Sequence, residues 1–473
     1  MTHDTHNSAT GRWQAAAILG ALLCMILNLR LSNSALFPLF DGVLPIARDI
    51  SVGSAVVANL AVVGAALYRP RLLRERRLSV TCLALCAAGV PLALVAIGLG
   101  QPWLLAAATC AKGVGAAWIS LLTWVACSTL TLRTLFVGVP LAYAAADAAG
   151  WLAQGMPQPL ALGLLFCCPL VAWGLSRPFA RATVMDIAQG QPVADGALTR
   201  PSSFLPLTNS LFVCQFLVTV ATSFGLRFGS VEGSPNSLVP AVVLLALIAL
   251  WNVRRTDPQR FDQLFNLAIV LIVAAFLIAP LTSYVHLTLG VLSMGDACLG
   301  TVFALALMAA AARNRMASLM VFGWSNALSS LGSIVGANLG VVAGAQSGGQ
   351  DAFLASALVA VLLLAYVFFG LHGFSFSATI EGIEPVRPLQ TPLDPNPARI
   401  EEACRNIGRS HGLTPREIDV MALLARGRNN QFVQEELTLT RNTVKTYIKR
   451  IYGKLGVHSQ QELIDLVEHP LQP

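Results

Sequence analysis

The residues from Thr440 to Leu455 have the types and the spacing of a nucleic-acid-binding helix. Val444, Ile448 and Ile451 recur at helical spacing and, with Leu455, form one apolar stripe. The opposite stripe carries polar and basic side chains, namely Asn442, Lys445, Thr446 and Lys449. From 441 to 454 there are five basic residues and no acidic one. Such a helix can pack on a small domain and face phosphates and base edges, although a solvated basic face is the alternative for this helix alone.

Three further short helices are predicted around this basic helix. Thr414 begins the first as its N-cap, Glu417 completes a capping box three residues later, and Gly427 ends it. The second is predicted at about 429–437, and the fourth at about 460–468. A helix joined by a short turn to a capped, basic helix is a helix-turn-helix.

The motifs LTPRE, GRNN, EEL, TVK, IYGKLGVHS and QELI follow one another from Leu413 to Ile464. This stretch closely resembles the DNA-binding domain of LuxR/GerE-type transcription regulators. The resemblance implies a four-helix domain whose third helix enters the major groove, and dimers that meet through the fourth helix. The sequence departs from the family pattern at Phe432 and Gln434, on the scaffold helix.

The resemblance also assigns roles on the third helix, position by position. Lys445, Thr446 and Lys449 would face base edges. Residues near phosphates would be Arg441, Thr443, Tyr447, Arg450 and Lys454. Asn442 lies on the same face, so all nine are candidate DNA-binding residues.

The rest of the chain has the composition of a membrane protein. Of the 473 residues, 55% are hydrophobic and only 12% are charged, against roughly a quarter charged in soluble domains. The mean hydropathy is +0.66. The fold class predicted is therefore all-α, a polytopic helix bundle followed by the small helix-turn-helix domain.

Twelve apolar runs have about the 20 residues that cross a ~30 Å hydrocarbon core. The first six lie at 13–36, 51–68, 79–99, 103–125, 135–153 and 159–176. The second six lie at 204–227, 238–253, 261–281, 286–312, 317–343 and 352–371. The predicted domains are a cytoplasmic tail (1–12), a twelve-span sensor (13–371), a proline-rich linker (372–397) and the DNA-binding domain (398–473).

Arginine positions predict the orientation of these spans. With the N-terminus in the cytoplasm, fourteen arginines fall in cytoplasmic loops, and only Arg48 and Arg227 lie on the outer side. Twelve spans return the C-terminus to the cytoplasm, where DNA is. We therefore expect a bacterial cytoplasmic membrane protein with both termini inside.

Two sets of six spans resemble the major facilitator transporter architecture. That family carries a Gly-x-x-x-Asp-Arg-x-Gly-Arg-Arg loop between its second and third helices. Here the loop reads YRPRLLRERR, at 68–77, without the Asp-Arg pair and without glycine. The departure puts a working transport gate in doubt.

Five ionisable residues lie within the predicted spans, where each is costly and usually faces a cavity. They are Arg30, Lys112, Asp147, Arg227 and Asp296. They predict a pocket for a small polar ligand, with a carboxylate or phenolate opposite Lys112 or Arg30. The alternatives are structural ion pairs, Lys112 with Asp147 and Arg227 with Asp296, or arginines that extend to the interface.

No phosphate-cradling loop, catalytic triad spacing or metal-ligand cluster is present in the sequence, so we predict no enzyme, no cofactor and no metal site. The sequence predicts a membrane-bound, one-component transcription regulator, resembling the membrane-embedded LuxR-type regulators of gut-associated actinobacteria. Its expected partners are double-stranded DNA, the lipid bilayer, an unidentified small-molecule effector and a second copy of the chain, with RNA polymerase a further candidate. Two other hypotheses stay open: a facilitator-type transporter with a regulatory DNA-binding tail, and a constitutive regulator that the membrane part only anchors.

Overall fold

The computed structural model describes residues 2–189, 205–228, 239–254, 259–278, 285–313, 317–346, 349–370, 397–425, 430–437, 441–457, 462–463 and 466–467. All regular secondary structure in these ranges is helical, which confirms the predicted fold class. By contacts the chain divides into two compact units, Met1–Glu384 and Pro385–Pro473. Most of the predicted linker lies outside the described residues.

The first unit contains twelve α-helices in the described ranges. The first six are α1 (Thr2–Leu31), α2 (Ala47–Tyr68), α3 (Glu75–Gly98), α4 (Pro102–Cys127), α5 (Leu132–Gln154) and α6 (Gln158–Gln189). The second six are α7 (Leu205–Phe228), α8 (Val239–Arg254), α9 (Gln259–Ile278), α10 (Val285–Arg313), α11 (Ser318–Gln346) and α12 (Gly349–Ala365). A π-helical turn, Ser32–Leu36, and a 3₁₀ turn, Phe37–Phe40, follow α1.

Each of these helices overlaps one of the twelve predicted spans. Within the described residues, eight helices are long and apolar enough to cross a membrane. Shorter apolar helices, at Leu211–Arg227, Val239–Val253, Asp262–Ile278 and Ala357–Phe368, lie at the other four positions. The protein is a multi-pass membrane protein.

Helix packing in this unit repeats with a shift of six helices. In the first half α1 packs against α5 and α6, while α4 packs against α2 and α3. In the second half α7 packs against α11 and α12, while α10 packs against α8 and α9. The halves meet where α2 packs on α11 and where α5 packs on α8. A shift of six helices converts either of these contacts into the other. This is the pattern of two parallel repeats related by an axis along the membrane normal.

Two glycines allow very close helix contacts, one in each half of the bundle. A methyl group at Gly113 of α4 would overlap the backbone of Ser51 on α2. One at Gly336 of α11 would overlap the carbonyl group of Val220 on α7. Small residues therefore set the distance between helices in both halves.

The helix α6 continues to Gln189, well beyond the end predicted for its span. Its extension carries Arg177, which donates hydrogen bonds to both carboxylate oxygens of Glu75 on α3, at 2.7 and 3.3 Å. Arg181 lies 3.8 Å from the same carboxylate, and Ser79 donates to it at 2.8 Å. Glu75 is buried, so this ion cluster fastens α3 to α6. Sequence reasoning treated the two arginines only as loop charges.

The second unit contains α13 (Pro397–Ser410), α14 (Pro415–Ala425), α15 (Asn430–Leu437) and α16 (Arg441–Leu455). Most of the predicted last helix lies outside the described residues. A separate apolar core joins these elements and includes Met421, Leu424, Val433 and Val444. Cys404 of α13 is fully buried in that core, so α13 packs on the rest of this unit.

Two helices of this unit end in the same way. Gly412 follows α13 with φ +66°, and Gly456 follows α16 with φ +69°, both in the left-handed region that favours glycine. The N–H of Leu413 then bonds back to Gly408, and the N–H of Val457 bonds back to Tyr452. Leu413 and Val457 are both buried, so each turn is a helix stop with an apolar anchor.

Candidate nucleic-acid interface and membrane charge cluster

The basic helix predicted at 440–455 is α16, Arg441–Leu455. Val444 and Ile451 are fully buried, and Ile448 and Leu455 pack against the same core. The predicted apolar stripe is therefore the buried face. The opposite face remains exposed because no part of this unit's described core covers it.

Five of the nine candidate DNA-binding residues line one shallow depression of about 320 Å³ on the exposed side of α16. They are Asn442, Thr443, Thr446, Tyr447 and Arg450. Lys449 is also exposed. The side chains of Arg441 and Lys445 lie outside the described residues. A polar, basic, concave strip on an exposed helix has the donors that phosphates and base edges accept.

The capping box at the start of α14 is confirmed. The N–H of Thr414 donates to Glu417 Oε2 at 2.8 Å, and the N–H of Glu417 donates to Thr414 Oγ1 at 3.3 Å. However, the Glu417 side chain is only 3% exposed, which the capping pattern alone does not require.

Lys454 explains the burial of Glu417. Its Nζ lies 2.7 Å from Glu417 Oε2 and donates a second hydrogen bond, at 2.9 Å, to the carbonyl oxygen of Gly412. The hydrogen bond from Lys454, with the backbone N–H of Thr414, holds the pKa of Glu417 below its usual value. Lys454 therefore fastens the end of α16 to the start of α14, and its predicted phosphate contact stays a prediction.

In the membrane unit, Arg30 at the end of α1 is paired with Asp147 on α5. Arg30 Nε lies 2.6 Å from Asp147 Oδ1. Asp147 is fully buried, and its Oδ2 atom has no hydrogen-bond partner among the described residues. The alternative pairing of Lys112 with Asp147 was wrong, because Arg30 takes that position.

Asp296 on α10 belongs to the same cluster. Its carboxyl group is in electrostatic range of Arg30 and lies near the hydroxyl group of Thr222 on α7. Tyr143, one turn before Asp147 on α5, is in electrostatic range of Arg30 and of both carboxyl groups. Arg30, Asp147 and Asp296, three of the five predicted ligand residues, thus lie together. Tyr143 and Thr222 were not predicted from the sequence, because they carry no charge and the prediction considered only charged residues within the spans.

Lys112 on α4 is buried next to the turns that follow α1. Its Nζ donates to Ser32 Oγ at 2.9 Å, and it lies over the ring of Phe37, 5.4 Å from the centroid. Both partners belong to the turns that follow α1. Within the described residues Lys112 has no carboxylate partner, so its charge is held by a hydroxyl and an aromatic face.

Arg227 is exposed at the end of α7, and it is not among the charges that act on Asp296. Its charge acts on Arg48, in the first turn of α2. Arg48 donates to Ser333 Oγ on α11 at 3.2 Å, and Asn338 on α11 donates to Asp49 Oδ2 at 2.9 Å. These bonds connect the first turn of α2 to α11. Sequence reasoning had placed Arg48 only as an outer-loop charge.

Comparison with known proteins identifies the second unit. Residues 411–467 match the family described as bacterial regulatory proteins, luxR family. The transcriptional activator protein ExaE of Pseudomonas putida is 30% identical over 128 residues, which are 27% of this chain and 55% of ExaE. The HTH-type transcriptional regulator MalT of Yersinia pestis is 38% identical over 64 residues, 14% of this chain and 7% of MalT. The chain thus spans about half the length of ExaE and a small part of MalT.

The membrane unit has a likeness among solved structures. The human organic anion transporter MFSD10 (TETRAN) superimposes with a TM-score of 0.53 at 16% sequence identity, covering 75% of this chain and 98% of the transporter. At that identity the likeness concerns the fold, which agrees with the six-helix repeat in the packing. The chain therefore joins a membrane unit with a transporter-like fold to a helix-turn-helix domain that matches the luxR family of bacterial regulatory proteins.

Proposed function

We propose that the protein is a membrane-bound, one-component transcription regulator. In this proposal the membrane domain senses a small molecule, and α16 binds operator DNA. The observation that supports it most is the LuxR-type domain with its exposed polar and basic strip, in one chain with a transporter-like bundle. No phosphorelay partner is required, because sensor and DNA-binding domain share the polypeptide.

The site on the DNA side consists of the nine residues predicted from the sequence. The base-reading group is Lys445, Thr446 and Lys449, and the others position the helix on phosphates. Two copies would meet through the last helix and read two half-sites, as symmetric helix-turn-helix dimers do. The bacterial cytoplasmic membrane, with both termini inside, is the placement that lets this domain reach DNA.

The site on the effector side is the buried charge cluster of the membrane domain. Arg30, Asp147 and Asp296 connect two helices of the first half with α10 of the second, while Lys112 reaches the turns after α1. An effector with different affinity for two arrangements of the halves shifts their populations. That shift would change dimerisation or presentation of the DNA-binding domain. Arg227, at the outer end of α7, is the member of the predicted set that this arrangement supports least.

The second candidate function is a facilitator-type transporter with a regulatory DNA-binding tail. The transporter fold and the charged interior favour it, and the altered 68–77 loop argues against it. Uptake of a labelled effector into vesicles containing the protein distinguishes the two functions, because a sensor binds the effector without accumulating it.

The proposal is tested by selecting genomic DNA fragments on the full chain in lipid nanodiscs. We expect enrichment of a few fragments that share a two-half-site sequence, and loss of that enrichment in Lys449→Ala. Arg409→Ala is the matched control, since Arg409 is an exposed basic residue on α13. Equal recovery of all fragments by the unaltered protein would contradict the proposal.

A further inference from the structure

The charges of the membrane cluster do not balance. Asp147 and Asp296 contribute two carboxyl groups, and Arg30 is the cation that interacts with both. Lys112 lies elsewhere, bonded to Ser32. With both carboxyl groups ionised, the group has one more negative than positive charge. Because charge inside a bundle is costly unless it is neutralised, the group then favours one more positive charge.

One oxygen atom of the cluster can accept a hydrogen bond from a positively charged group. Asp147 Oδ2 is buried and makes no hydrogen bond within the described part of the chain, although Oδ1 is bonded to Arg30. An unsatisfied buried acceptor is unfavourable by roughly 1–3 kcal/mol, and more when it is charged. A donor that reached Oδ2 would remove this penalty. Arg30 itself uses only its Nε on Asp147.

The cluster is also accessible. The Arg30 side chain, in the last turn of α1, is 25% exposed, and Asp296, within α10, is half-buried. Their partners, Asp147 and Thr222, belong to other helices of the bundle, so both side chains point towards its interior. Each side chain therefore keeps accessible surface next to its partners, and we infer that a small molecule can reach this surface.

We propose that this cluster binds an organic cation, a protonated amine whose ammonium group lies between Asp147 Oδ2 and Asp296. The inference rests on the proposed function and specifies its effector class. Three hydrogens of an ammonium group match the available acceptors, the two carboxyl groups and the Tyr143 hydroxyl. Binding neutralises the cluster and joins α5 of one half to α10 of the other. An ammonium group thus takes the place of the carboxylate or phenolate predicted from the sequence, because Asp147 already provides the carboxylate that pairs with Arg30.

The test uses the full chain in nanodiscs and the fluorescence of its tryptophans during thermal unfolding. Two probe sets of matched shape are added at millimolar concentration: butylammonium, butanol and butyrate, then phenethylammonium, phenethyl alcohol and phenylpropionate. A ligand that binds only the folded state raises the unfolding temperature. We expect this rise from an ammonium ion and not from its alcohol or its carboxylate.

Variants locate the binding. Asp296→Asn should weaken ammonium binding at least about tenfold, since a charged hydrogen bond is lost. Arg30→Gln should strengthen it, because a competing cation is removed. Asp186→Asn, an exposed carboxylate on the extension of α6, is the control and should bind like the unaltered protein.

Three results would overturn the inference. The first is stabilisation by butyrate or phenylpropionate that is lost in Arg30→Gln. The others are stabilisation by the alcohols equal to that by the ammonium ions, and no stabilisation by either ammonium ion. Each of these leaves the proposed function standing, because sequence-selective DNA binding is measured separately. Loss of selective DNA binding in the unaltered protein would instead contradict the regulator, whatever the probes do.

Discussion

The ammonium group of Lys454 and the carboxylate of Glu417 lie 2.7 Å apart, and this pair connects the last turn of the DNA-facing helix to the first turn of α14. Glu417 also caps its own helix through Thr414. One carboxylate therefore sets both the start of α14 and the position of the end of α16.

This pair predicts an acid-sensitive DNA-binding domain. The pKa of Glu417 is lowered in the folded state, chiefly by Lys454, so its contribution to stability is present above the unfolded-state pKa of about 4.3. That contribution is lost as the pH falls through the lower, folded-state pKa. Hydrogen exchange of the 411–457 region in the full chain, taken relative to the intrinsic exchange rate at each pH, should therefore rise more steeply below about pH 4 than in Glu417→Gln. Equal pH profiles for both proteins would contradict this.

A double-mutant cycle separates the two roles of Lys454. Lys454→Ala should destabilise the domain by about 1–3 kcal/mol, because Glu417 is left buried with fewer partners. Lys454→Ala combined with Glu417→Gln should recover part of that stability. If the double variant also recovers DNA affinity, Lys454 acts through α14. If affinity stays low for all sequences and the salt dependence is flatter, Lys454 contacts a phosphate.

Lys449→Ala should weaken binding to the selected operator by about 1–3 kcal/mol, and Lys445→Ala should do the same, if both side chains reach base edges. Non-specific binding should change much less. Footprinting titrations with the operator and with a scrambled sequence provide the measurement. Arg409→Ala, on α13, should leave both affinities unchanged, and an unchanged operator affinity in Lys445→Ala would disprove the register assigned to α16.

The two cations inside the membrane domain, Arg30 and Lys112, should respond differently to mutation. Asp147→Asn removes the carboxylate partner of Arg30 and should lower the unfolding temperature in nanodiscs by an amount equivalent to about 1–3 kcal/mol, less than for a fully buried pair because Arg30 is partly exposed. Lys112→Met removes a charge without a carboxylate partner, so stability should be unchanged or higher while the effector response falls. A loss of stability in Lys112→Met as large as in Asp147→Asn would refute this difference.

Gly336→Ala should separate α7 from α11, because the added methyl group meets the backbone of Val220. The expected cost is about 1–3 kcal/mol in thermal unfolding. Gly64→Ala is the matched control on α2, since a methyl group there meets nothing within 4 Å. Its better helix propensity should leave stability equal or slightly higher. Equal effects of the two substitutions would show that the α7–α11 contact is not tight.

Hydropathy predicted the helix positions well because the bilayer acts on each segment separately, and the capping box was predictable because Thr414 and Glu417 are neighbours in sequence. Partner choice was not predictable. Arg30 and Asp147 are 117 residues apart, and which side chains meet depends on the rotation of two helices about their axes. Glu417 looked like an exposed cap residue, since nothing local indicates that Lys454 covers it. Burial of a charge is decided by the partner that tertiary packing brings to it.

The six-helix repeat couples the charge cluster to the relative position of the two halves of the bundle. Asp147 moves with the first half of the bundle and Asp296 with the second, and the halves meet along two contacts, α2 with α11 and α5 with α8, that are equivalent under the repeat. If the halves move as rigid bodies about these contacts, a change in the separation of the two carboxylates requires one half to tilt against the other. Because a tilt displaces points in proportion to their distance from the pivot, a sub-ångström adjustment at the cluster becomes a larger stroke at the helix ends on the membrane surface.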